Sequence, residues 1–229
     1  MQGFRSLARV DLGELPYDVA VVEMAEWAEQ CRAGAAGDRL FLLSHPPVVT
    51  YGPRTPREHL PADLPIVPVD RGGLATYHGP GQIVGYLVAD VRERGPADVV
   101  RWLENGIIAA LTGLGFPARR RDTPPGGTSL VGVWTPDDRK VAAIGMRIRG
   151  GVSTHGFALN VDPDMGVYER FTACGLAEPT TSLREWAWDL GRDVPTEQRV
   201  RDALAEALGA LNSPQWTFGR SFANVAEPL

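Results

Sequence analysis

Alternation and helical spacing divide the chain into elements before any chemistry is considered. A loose alternation from Ser6 to Asp11 predicts a short strand, and apolar positions at Tyr17, Val21, Met24, Ala28 and Cys31 then recur at the spacing of a helix with one buried face. Arg39 to Ser44 and Val48 to Tyr51 are predicted strands separated by Pro46-Pro47, and Arg54 to Asp63 is a proline-broken loop placed to lie over a site. Ile66 to Asp70 and Ile83 to Val88 predict two more strands. Pro96 to Leu114 predicts a helix with its inward stripe at Val99, Leu103, Ile107 and Leu111, and with proline in the first turn, where its missing N–H costs nothing. An edge strand at Arg119 to Arg121 and a turn at Pro124-Pro-Gly-Gly127 follow. Ser129 to Trp134 then pairs, through Pro136-Asp-Asp138, with the strand that carries Lys140. Thr181 to Trp188 predicts a short helix, and Thr196 to Leu211 a longer one with Val200, Leu204, Leu208 and Leu211 inward. The expected class is α/β (α+β), a mixed sheet flanked by helices. Residues 1–229 form one domain in this reading, with a soft boundary near 180 ahead of the helical C-terminal segment.

The glycine pair in Arg149-Gly150-Gly151-Val152 predicts a tight hairpin, whose register opposes Gly145 to Gly156 and Lys140 to Val161. Strict alternation then puts Lys140 on a face with Ala142, Ile144, Met146, Phe157 and Leu159, an apolar surface of the kind that favours a neutral amine. Ala143, Gly145, Gly156 and Ala158 take the opposite face, and their short side chains leave a slot wide enough for an aliphatic chain. Slot and lysine fall on opposite faces under that register, and a bulge would bring them together.

At 229 residues and 44% apolar content the chain can bury a large core. A net charge of −5 and no basic run longer than Arg119-Arg120-Arg121 argue against nucleic-acid and membrane-surface partners. Two distant cysteines with no Cys-x-x-Cys spacing make neither a disulfide framework nor a zinc motif, and no metal is expected. The N-terminus lacks the apolar core of a signal peptide and no apolar run reaches membrane length, so a cytoplasmic protein is expected.

Composition changes the picture at one position. Of 23 basic side chains all but Lys140 are arginine. Arginine does not release its proton in a protein, whereas a lysine amine can, which marks Lys140 for chemistry rather than mere charge. Cys174 precedes a glycine that lets the backbone turn sharply and leaves the sulfur approachable; it needs a cation or base nearby to act as a thiolate. Cys31 belongs to a helical stripe and reads as core. The segment Arg71-Gly72-Gly73-Leu74-Ala75-Thr76-Tyr77-His78-Gly-Pro-Gly-Gln82 is either ordinary turn chemistry or a backbone-lined pocket with Arg71 and His78 as polar contacts. It lacks the Lys-Ser/Thr that would complete a nucleotide cradle. His155 reads as a structural polar contact rather than an acid or base.

Four segments in order, Arg71 to Gln82, Lys140-Val-Ala-Ala-Ile-Gly145, His155-Gly-Phe-Ala-Leu-Asn160 and Cys174-Gly, resemble the octanoyl-[acyl carrier protein]:protein octanoyltransferases, or lipoyl(octanoyl) transferases. The resemblance implies the fold of the biotin and lipoate protein ligases. It also implies a cysteine acylated as a thioester beside a lysine, by position Cys174 and Lys140, and an acyl chain lying along Arg71–His78, Ala143-Ile144-Gly145 and Gly156-Phe157-Ala158. Octanoyl-acyl carrier protein is the implied donor. The implied acceptors are lipoyl domains of 2-oxoacid dehydrogenase complexes and the glycine cleavage H protein, and no cofactor is needed. Three rivals remain: an ATP-dependent lipoate or biotin ligase, which needs no cysteine; a Cys/His hydrolase; and a carrier-binding protein without catalysis.

Overall fold

The computed structural model describes residues 4, 6–171 and 179–212. Three strands and a helix open the chain: β1 (Leu7–Glu14), α1 (Tyr17–Arg32), β2 (Arg39–Ser44) and β3 (Val48–Tyr51). A one-turn 3₁₀ helix, Arg57–His59, interrupts the proline-broken loop before β4 (Ile66–Pro68), β5 (Thr76–His78) and β6 (Gln82–Val88). Then come α2 (Pro96–Gly113), β7 (Gly132–Trp134), β8 (Lys140–Arg149), β9 (Val152–Asn160), α3 (Leu183–Asp189), α4 (Glu197–Ala207) and β10 (Ala210–Asn212).

Seven strands form one mixed sheet in the order β10-β1-β2-β6-β9-β8-β7, and β4-β3-β5 form a second. In the large sheet β1 runs parallel to both β10 and β2, and the remaining pairs are antiparallel. Alternation assigns its two faces. Leu40 and Leu42 of β2, Ile83 and Leu87 of β6, and Phe157 and Leu159 of β9 join one core with Leu103 and Ile107 of α2, Trp186 of α3 and Leu204 of α4. Phe41, Leu43, Val84, Tyr86 and Ala158 point the other way, onto Met24, Trp27, Ala28 and Cys31 of α1. Trp27 stacks on Phe41 with ring centroids 3.9 Å apart. Burying side chains of this size contributes about 1.5–3 kcal/mol each, so the two cores fix the sheet between its helical layers.

Helix ends follow local chemistry. Pro96 occupies the first turn of α2. Ser182 and Thr196 cap α3 and α4, accepting the backbone N–H of Glu185 and Arg199. The predicted helix over Thr196 to Leu211 stops early: Gly209, at φ +66, turns the chain out of α4, and Ala210–Asn212 pair in parallel with β1. Leu211, expected inward, is 70% exposed. The edge strand expected at Arg119 to Arg121 shrinks to a single bridge between Arg119 and Trp134.

The β8–β9 hairpin has the predicted register, from Arg149 opposite Val152 through Gly145 opposite Gly156 to Ala142 opposite Leu159. Lys140 and Val161 do not pair. Val161 donates to the Gly81 carbonyl, and Lys140 instead lies between Trp134 of β7 and Thr180. The β7–β8 register shifts between Val133 and Trp134, so that Val141 is an extra residue. Val141 and Ala142 both enter the helix-side core. The bulge therefore returns Lys140 to the face of Ala143, where the slot was expected. The chain stays tied together across residue 180: Thr181 donates its N–H to Lys140 and accepts from Asn160, and β10 extends the sheet.

Candidate active site

A cavity of about 700 Å³ opens along the face of Ala143, Gly145, Gly156 and Ala158. Its wall is the segment from Arg71 to Leu74, with Thr76 and His78 of β5. That segment can approach because Gly145 has no side chain: a Cβ there would stand 2.8 Å from the Gly72 carbonyl oxygen and 3.1 Å from Arg71 Cδ. The Gly72 N–H donates to the Met146 carbonyl at 2.9 Å, tying the wall to β8. Lys140, Ile144 and Phe157 also line the cavity. Ala75 and Tyr77, though part of the proposed binding segment, face away into a small cluster with Val49, Val167 and Phe171. Alternation through β5 and the residue before it accounts for the split.

Arg71 is buried and its guanidinium is spent on the protein. Nη1 donates to the carbonyls of Gly72 and Leu74, and Nη2 to the carbonyl and hydroxyl of Thr50. A chain of hydrogen bonds continues inward. Thr50 Oγ1 lies 3.2 Å from His78 Nε2, and His78 Nδ1 lies 2.9 Å from Gln82 Oε1. Gln82 Nε2 donates to the Tyr77 carbonyl and to Asn160 Oδ1. Gln82 therefore offers its oxygen to a protonated His78 Nδ1, and His78 Nε2 accepts the Thr50 hydroxyl. Burial, reinforced by the nearby His45 and Arg71, holds His78 well below the ordinary range, as a neutral ring.

Beside it Tyr17 stacks on the His78 ring with centroids 5.9 Å apart, and Tyr86 and His155 line the cavity with them. Fully buried His45 connects two elements behind them, its Nδ1 at 2.7 Å from the Leu15 carbonyl and its Nε2 at 2.7 Å from the Tyr86 hydroxyl. Burial lowers His45 to about 4 and pushes Tyr17 up to about 12. His155 adopts φ +58, a left-handed conformation uncommon outside glycine. It thereby leaves the helix-side face of Phe157 and Leu159 and packs beside Tyr86, with ring centroids 6.0 Å apart. Burial, then the Arg71 charge, lowers His155 to about 4, so the Asp70 carboxylate 3.8 Å away faces a neutral ring.

The first residue of β8, Lys140, is 6% exposed, and its amine lies over the Trp134 ring at 5.2 Å. Cys174 falls in residues 172–178, outside the described residues. The chain is described again from Pro179, whose carbonyl accepts the Lys140 N–H at 2.8 Å. Among the described residues no group of three or more His, Cys, Asp or Glu side chains is placed to hold a metal ion. No helix there is long and apolar enough to cross a membrane. Sequence reasoning gave no role to Tyr17, Tyr86 and Thr50, which appear in it only as parts of a helical stripe and strands, and none to His45, which falls between two strands. Gln82 and Asn160 closed two of the quoted motifs but carried no role.

Residues 19–209 match the family of lipoyl protein ligase A/B catalytic domains. An octanoyltransferase of Frankia casuarinae is 46% identical over 187 residues, 79% of this chain and 85% of that protein. An octanoyltransferase of Azotobacter vinelandii is 41% identical over 214 residues, 91% of this chain and 94% of its own length. A structure from a study of a bipartite lipoate protein ligase and its E2 lipoyl domain from Thermoplasma acidophilum superimposes with a TM-score of 0.65 over 91% of this chain and 86% of that one. At 16% identity that likeness concerns the fold.

Proposed function

This chain belongs to the octanoyltransferases, within the family of lipoyl protein ligase A/B catalytic domains, and from that premise we propose how its site moves an octanoyl group to a lipoyl domain. The reaction is ping-pong. The Cys174 thiolate attacks the thioester carbon of octanoyl-acyl carrier protein, the carrier thiolate leaves and takes a proton, and an octanoyl thioester remains on Cys174. A lysine amine of the lipoyl domain then attacks that thioester. The amide forms, the Cys174 thiolate leaves, and the proton surrendered by the amine passes to Lys140 and on to solvent. A thioester is already activated, so no ATP is consumed. The acceptors are lipoyl domains of 2-oxoacid dehydrogenase complexes and the glycine cleavage H protein, and the cytoplasm is the setting.

The observation that carries this reading is the length of the small-residue row beside Lys140. From Lys140 to Gly145, with one residue lost to the bulge, the strand advances roughly 13 Å at about 3.3 Å per residue. An extended eight-carbon chain, with C–C bonds of about 1.5 Å, spans roughly 9 Å and fits within it. The floor of Ala143, Gly145, Gly156 and Ala158 offers an aliphatic chain contact without polar groups to desolvate. The test is to mix the protein with octanoyl-acyl carrier protein, identify the acylated residue by mass spectrometry, and then add a lipoyl domain. An octanoyl adduct on Cys174 that disappears as the domain gains the group is the expected result. Product from free octanoate and ATP, without an adduct, would instead make the protein a ligase.

A further inference from the structure

Glu104 lies one turn beyond Val100 on α2, and Val100 lines the cavity. At 6% exposure it is a buried carboxylate, a group that stays inside a protein only with hydrogen bonds or a cation to hold it. Its Oε1 accepts the Gly132 N–H at 3.0 Å. Gly132 is itself unusual, at φ +140, and a Cβ there would stand 2.5 Å from Lys140 Cε and 3.3 Å from its Nζ. The lysine stem thus crosses β7 where a side chain is missing, at the residue whose backbone Glu104 holds. Charged groups face the carboxyl from three directions: Arg120 on the segment after α2, Arg101 on its own helix and Lys140 on β8. Of these, Lys140 lines the cavity.

We infer that Glu104 is a positioning residue for Lys140: its carboxylate fixes the Gly132 backbone against which the lysine stem lies and supplies the buried negative charge that the amine faces. The inference rests on reading Lys140 as the proton-transferring group of acyl transfer. Burial raises the Glu104 carboxyl above its ordinary range, opposed by the Gly132 N–H, Arg120, Arg101 and Lys140, so its charge is lost early as the solution is acidified.

Glu104→Gln keeps an oxygen for the Gly132 N–H and removes only the charge, whereas Glu104→Ala removes both. Octanoyl transfer to a lipoyl domain is measured across acid and neutral pH, with melting temperature as a control for folding. The glutamine variant should melt close to the unaltered protein and keep its KM for the octanoyl donor. Its kcat at neutral pH should fall on the order of tenfold, as expected for one partly screened charge. Its profile should lose the acid limb produced by Glu104 protonation. If the alanine variant fails to fold, the glutamine variant still decides. An unaltered kcat, or a pH profile that coincides with that of the unaltered protein, in Glu104→Gln overturns the inference. Cys174→Ala run alongside separates the two readings, because transfer retained without the thiol would overturn the acyl-cysteine reaction itself.

Discussion

Lengthening the side chain at residue 143 tests whether an acyl chain runs along the cavity floor. Ala143 is half-buried on β8, opposite Ala158 of β9 and Gly132 of β7, and its side chain points into the cavity. Ala143→Leu adds three carbons standing off the sheet, enough to exclude about two methylenes of a bound chain. Each methylene left out of an apolar site costs about 0.8 kcal/mol. Two therefore cost about 1.6 kcal/mol, roughly a 15-fold loss in kcat/KM at about 1.4 kcal/mol per tenfold. The assay is the rate of Cys174 acylation by butanoyl, hexanoyl, octanoyl and decanoyl carrier protein, with melting temperature recorded in parallel. Octanoyl and decanoyl should lose the full factor while butanoyl keeps most of its rate. Equal loss at every length, with a lower melting temperature, would refute the floor as the chain's path, and so would no loss at all. Gly156 cannot serve for this purpose, because a Cβ there would stand 2.2 Å from the Gly85 carbonyl oxygen. Gly156→Val tests the joining of β6 to β9, not the width of the slot.

Other perturbations separate the remaining roles. Cys174→Ala should abolish transfer with the melting temperature unchanged. Cys31→Ala should keep activity and lose about 1 kcal/mol of stability, since Cys31 lies on the buried face of α1; the reverse pattern in transfer assays would sink both assignments. Lys140→Arg keeps a charge but cannot accept the proton of the attacking amine. The acyl-enzyme should therefore persist in a stopped assay while overall turnover falls by about 10²–10⁴, and near-normal turnover would show that charge alone suffices. Acid should destabilise the fold through its buried histidines. His45 and His155 drop from the ordinary 6.5 to about 4 on folding, so between those values the unfolded chain binds more protons. Stability is complete above the upper value and falls by about 1.4 kcal/mol per pH unit for each ring until the lower one is reached. His78 adds to this in the same direction, and the raised carboxyls of Asp38 and Glu104 offset part of it at the acid end. Urea midpoints that stay level across this window would refute the assignment of neutral rings.

Most elements were legible because each is governed by residues close together in the chain. β2 and β3 begin and end where predicted, since Pro46-Pro47 cannot continue the ladder between them. The β8–β9 register follows from a turn of two glycines, which leaves few ways to oppose the strands. The errors lie where a partner distant in sequence decides. Ala210–Asn212 continue a helical spacing, yet β1 offers an open edge and Gly209 provides the turn into it, so pairing overrides periodicity. Arg119 exchanges both backbone hydrogen bonds with Trp134, but the next rung of that ladder would need the Gly132 N–H, which Glu104 Oε1 accepts instead.

The cavity itself was less legible because it depends on two violations of strand alternation. A regular β8 would leave Lys140 on the helix-side face with Ala142, and a regular β9 would leave His155 there with Phe157. The extra residue at Val141 turns the lysine to the opposite face, and the left-handed backbone at His155 turns the histidine to the same side. Each departure gives up regular backbone geometry, about 1 kcal/mol or more for a non-glycine residue held at positive φ. Both are held by contacts from outside the strand. The Thr181 N–H and Pro179 carbonyl grip Lys140 on the bulge side, and Met24 Sδ accepts the His155 N–H at 3.2 Å. A face made only by alternation would be all apolar or all polar along its length. These two irregularities instead set a lysine near one end of an alanine and glycine floor and a buried histidine near the other, the asymmetry that the proposed path of an aliphatic chain with its reactive carbon at one end requires.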